Sequence, residues 1–129
     1  MTLRTASLLL TGLLAGGLAQ AQAPSAAAPL DPASFNVPEE PINQQGYVIA
    51  TLVANMRACG AGEQPLTTFY NHEKRQALGD FAGQANVAQG FDAGFVLGSA
   101  HMRAIAQGGK LTPDRTVCQA LGQRLMQVR

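Results

Sequence analysis

Between Val87 and Gln107 glycine recurs at every fourth position, as Gly90, Gly94 and Gly98. At 100° per residue these three fall on the edge of the face that carries Val87, Phe91, Phe95, Met102 and Ile105, with Asp92, Ser99, Arg103 and Gln107 opposite. The pattern predicts an amphipathic helix with one row of its apolar face stripped of side chains. Each interior glycine costs about 1 kcal/mol relative to alanine. The row therefore implies a second backbone that must come close, as small residues permit between membrane helices. The polar opposite face excludes a membrane span, so the expected neighbour is a helix of the same domain. A groove left open over the glycines for a flat ligand is the alternative.

Three more segments carry helical spacing. From Gly46, the residues Val48, Ile49, Leu52, Val53, Met56 and Cys59 recur at steps of three and four. Gly60 is placed to close this helix in the left-handed conformation, with Arg57 suited to the negative end of the dipole. A second helix is expected from Pro65, with a weaker stripe of Leu66, Phe69, Tyr70, Ala77, Leu78 and Phe81. A break is expected between Gly79 and Gly83. Gly108-Gly109 ends the glycine-striped helix. Thr112, Pro113 and Asp114 then supply an N-cap hydroxyl, a first-turn proline and a carboxylate for a fourth, with Val117, Cys118, Leu121, Leu125 and Val128 on a narrow arc. No segment alternates β-branched residues. The expected fold is an all-α, small four-helix bundle-like domain over residues 42–129.

Ahead of it, residues 1–23 read as a secretory signal peptide. Arg4 is their only charge, Leu8 to Leu18 is apolar, and Ala19-Gln20-Ala21 and Ala21-Gln22-Ala23 place cleavage after Ala21 or Ala23. The apolar run is about a dozen residues, too short for a spanning helix, so no membrane span is expected after processing. Residues 24–41 contain Pro24, Pro29, Pro32, Pro38 and Pro41 and read as a flexible Pro/Ala-rich linker. Within it Phe35 and Val37 offer apolar surface to the domain. The expected location is the periplasm or the medium of a bacterial cell. Without Arg4 the basic and acidic residues balance, and no basic cluster provides a footprint for nucleic acid.

Export bears on the two cysteines. Cys59 ends one apolar stripe and Cys118 lies on another, with no third thiol in the chain. An oxidising compartment favours an intramolecular disulfide, with an intermolecular bridge as the alternative. A bridge across 59 positions contributes on the order of 4 kcal/mol before strain. In outline, a small exported helical chain with one disulfide resembles the acid-stress chaperones of the bacterial periplasm. None of their local motifs occurs here, so the resemblance is architectural and carries no residue role.

The remaining polar residues offer little chemistry. His72-Glu73 lacks a second histidine one turn later, where Gln76 stands. Ser99 and His101 point to different helical faces, and no Gly-x-Ser-x-Gly elbow exists. No enzymatic activity and no cofactor are expected. The leading expectation is a non-catalytic interaction protein, chaperone-, inhibitor- or adaptor-like, that meets another envelope protein or itself. Its expected face comprises Phe69, Tyr70, Gly90, Phe91, Gly94, Phe95 and Gly98. The alternative is a small-ligand or metal carrier, for haem or copper, that uses the glycine face with His101 and Met102 as weak candidate ligands.

Overall fold

A computed structural model describes residues 31–128 of the chain. The expected signal peptide, and the linker as far as residue 30, lie outside the described residues. A 3-10 turn at Pro32–Ser34 precedes four helices: α1 (Pro41–Ala58), α2 (Glu63–Asp80), α3 (Val87–Gln107) and α4 (Arg115–Met126). The described residues contain no strand. The all-helical reading therefore holds.

Both ends of α1 follow from local chemistry. Pro41, expected to close the linker, instead occupies the first turn, where its missing amide proton is no loss. The helix thus begins ahead of Gly46. At its other end Gly60 takes φ +96°, and the amides of Gly60 and Ala61 donate to the carbonyls of Arg57 and Met56. These are the two bonds of a Schellman closure. Gly109, at φ +71°, closes α3 in the same way. The expected break after α2 occurs at Phe81, and Gly83 turns the chain at φ +95°.

Two details of the expected stripes change. The carboxylate of Asp114, rather than the hydroxyl of Thr112, caps α4, accepting from the Val117 amide at 2.8 Å. Val48 and Val117, placed on apolar arcs by spacing alone, are 48% and 42% exposed. On α1 the buried arc is rotated to include Gly46, Tyr47 and Ala50, because these residues face α3.

That α1–α3 contact organises the domain. A Cβ on Gly94 would overlap the Asn43 carbonyl, and one on Gly98 would lie 2.7 Å from the Tyr47 carbonyl oxygen. Reciprocally, a Cβ on Gly46 would overlap the Phe91 carbonyl. Asn43 meets Gly94 and Tyr47 meets Gly98, so contact positions rise together and the two helices run parallel. On α1, Gly46 is thus set against the Phe91–Phe95 backbone of α3 and Ala50 against Gly98. Antiparallel to both, α2 inserts Leu66 and Phe69 into a core with Ile49, Val53, Met56 and Phe91. The short α4 buries only Leu121. Its anchor is the disulfide, which joins Cys59 to Cys118 with Cα atoms 5.4 Å apart.

Candidate functional site

The structure divides the expected interaction face. Phe69 and Phe91 are 0% exposed and belong to the core. Gly94 and Gly98 are covered by the α1 backbone, and Gly90 lies against Ile42 and Asn43. Tyr70, Phe95 and Gly90 keep part of their surface in solvent, and of these only Tyr70 and Phe95 carry a side chain. The two rings pack edge to face with ring centroids 4.7 Å apart.

The glycine groove proposed for a flat ligand is therefore filled by α1. His101 is also engaged elsewhere: the Phe35 ring stacks on it at 5.2 Å, and the Tyr47 hydroxyl shares a hydrogen bond with its Nδ1. Phe35 thereby ties the described part of the linker to α3, while Val37 is 57% exposed. Met102 is buried, 7% exposed, on the adjoining face. The two weak candidate ligands do not converge on a shared space. Burial also raises the pKa of the Tyr47 hydroxyl.

A polar cluster borders Tyr70. Its hydroxyl donates to Asp92 Oδ1 at 2.5 Å, and Lys74 Nζ donates to Asp92 Oδ2 at 2.9 Å. The Tyr70 hydrogen bond, aided by Lys74, holds the Asp92 carboxyl below its ordinary range. Burial and the adjacent carboxylate push Tyr70 upward, and the bond to Asp92 raises Lys74. Every member is satisfied within the cluster. Its effect is to hold the Tyr70 ring against α3.

On the other side of Tyr70 and Phe95 runs a trough in two connected parts. The first, about 230 Å³, lies between α1 and α2 and is lined by Val53, Leu66, Thr67, Tyr70 and Phe95. The second, about 360 Å³, lies between α1 and α3 over Ala50, Ala54, Ser99, Met102 and Ala106, with Leu111 among its lining residues. Val53, Arg57 and Phe95 belong to both. Arg57 and Glu63 form a bidentate pair at 2.7 and 3.1 Å. That hydrogen bonding lowers the Glu63 carboxyl and raises Arg57. Arg103, exposed on the α3 rim, makes no ion pair among the described residues. A separate uncharged groove of about 420 Å³ lies between the start of α2 and the end of α4, lined by Pro65, Thr68, Leu125 and Met126.

Spacing alone assigned Ser99 and Arg103 to a solvent-facing side and singled out neither Ala50 nor Ala54. The available signal was the step of four from Gly46 through Ala50 to Ala54, which marks a helix face without bulk. Chemically the trough offers van der Waals surface, the hydroxyls of Thr67, Tyr70 and Ser99, and one uncompensated guanidinium. Among the described residues no group of three or more His, Cys, Asp or Glu side chains is arranged to hold a metal ion. No described helix is long and apolar enough to cross a membrane.

Fold and site together define a small, disulfide-stapled, all-α domain with a shallow apolar trough. Comparison with known proteins returns no matching family model, curated protein or solved structure.

Proposed function

We propose that the protein is a non-catalytic, exported interaction module that receives an apolar segment of another envelope protein in the trough beside Tyr70 and Phe95. The supporting observation is that these two rings, alone among the aromatic side chains of the expected face, remain half-buried at the edge of a concavity rather than inside the core. A half-buried aromatic with fixed orientation contributes contact area at little entropic expense. The Tyr70–Asp92–Lys74 cluster supplies that fixation. The proposed setting is the periplasm or medium, reached by cleavage after Ala21 or Ala23, and a disulfide is at home there.

The test uses the mature chain immobilised and exposed to an envelope extract of its host. A specific partner retained by the wild type and lost from Thr67→Arg, at the trough wall, is the expected result. No specific retention, or equal retention by that variant, overturns the reading. Mass spectrometry of the exported chain tests the address: the expected first residue is Gln22 or Pro24, and a chain that begins at Met1 refutes cleavage.

A further inference from the structure

Resting on the trough as the docking site, we infer that its occupant is a short amphipathic helix of a partner protein, apolar along one side and acidic where it meets Arg103. The trough has the shape for this. Its α1 wall runs from Ala50 to Arg57, about 10 Å, and its α3 wall from Phe95 to Ala106, about 16 Å, at the rise of an α-helix. Those lengths match two to three helical turns. Ala50, Ala54, Ser99 and Ala106 keep both walls low, so side-chain ridges of a third helix can enter between them. The floor of Val53, Phe95 and Met102 is apolar. This is the arrangement by which a groove captures an amphipathic helix.

The charge follows from the rim. Arg57 stands on the α1 side and Arg103 on the α3 side, and among the described residues Glu63 is the only carboxylate lining either part of the trough. Glu63 is already spent on Arg57. Arg103 is left as the uncompensated charge, so a basic segment meets repulsion there and an acidic one attraction. Rim charges of this kind select partners more than they set total affinity.

The experiment measures binding of fluorescent amphipathic peptides of about 15 residues, a length at which isolated helices begin to persist, flanked by Glu, Gln or Lys, to the full mature chain. At low salt the Glu-flanked peptide is expected to bind about fivefold more tightly than the Lys-flanked one, the scale of one exposed ion pair. Arg103→Glu should reverse the order, and Ala106→Leu, which fills the trough, should weaken all three peptides. Both variants alter exposed positions, and circular dichroism checks that they fold. No binding, binding indifferent to flank charge, or an order unchanged in Arg103→Glu overturns the inference. Retention of an envelope partner alongside any of those results would leave the docking reading standing and remove only the acidic helix.

Discussion

At the α1–α3 crossing single atoms decide whether the domain closes. Gly94→Ala would place a methyl group into the Asn43 backbone, which cannot yield as a side-chain tip would. It should destabilise the protein by about 3 kcal/mol or more, as overpacking against rigid atoms does. Gly122→Ala is the matched control. Gly122 lies in α4 with nothing within 4 Å of an added Cβ, so the substitution should stabilise by up to about 1 kcal/mol. Urea denaturation of both variants measures the contrast. Asp92 makes a different prediction, in pH. Its folded pKa is lowered, so its contribution is present above the unfolded carboxylate value of about 3.9 and is lost as pH falls through the folded value. With the side chain 47% exposed, the effect should be about 1 kcal/mol or less. Asp92→Asn should flatten that acid limb of the stability curve and leave its neutral region lower.

Among the elements, α4 depends most on its ends. With Leu121 as its only buried residue, it is held by the disulfide, by the Arg124–Glu73 pair at 3.4 Å and by its N-cap. Asp114→Ala should therefore lower stability by about 1 kcal/mol. Hydrogen exchange should show α4 amides opening before those of α1 and α3. The same element shows where spacing falls short. Its apolar arc was legible, yet Val117 faces solvent, because periodicity gives the side of a helix and not how far a neighbour extends along it. The α1 start was missed for a related reason: Pro41 reads equally as a linker breaker or as a first-turn residue, and only the packing of Ile42 against the core selects the second.

For the whole molecule the staple has the largest single effect. Reduction of Cys59–Cys118 frees a chain segment of 59 positions and should remove on the order of 4 kcal/mol, less any strain released. For a domain of this size that corresponds to a drop in Tm of roughly 15 °C or more. Calorimetry with and without reductant gives the comparison, and an unchanged Tm would show that α4 docks by packing alone. The number of helices, the turns at Gly60 and Gly109, a break between Gly79 and Gly83, the cysteine pair and the need for a close backbone neighbour at Gly94 and Gly98 were all determined by the amino-acid sequence, whereas Gly90 meets the side chains of Ile42 and Asn43. Each depends on local conformation, periodicity or the pairing of two unique residues. Tertiary structure decided which backbone filled the glycine row, which aromatics became core, and that Ala50, Ala54, Ser99 and Arg103 would border a trough. Those outcomes depend on the parallel crossing of α1 and α3, a long-range geometry that residue spacing within either helix does not contain.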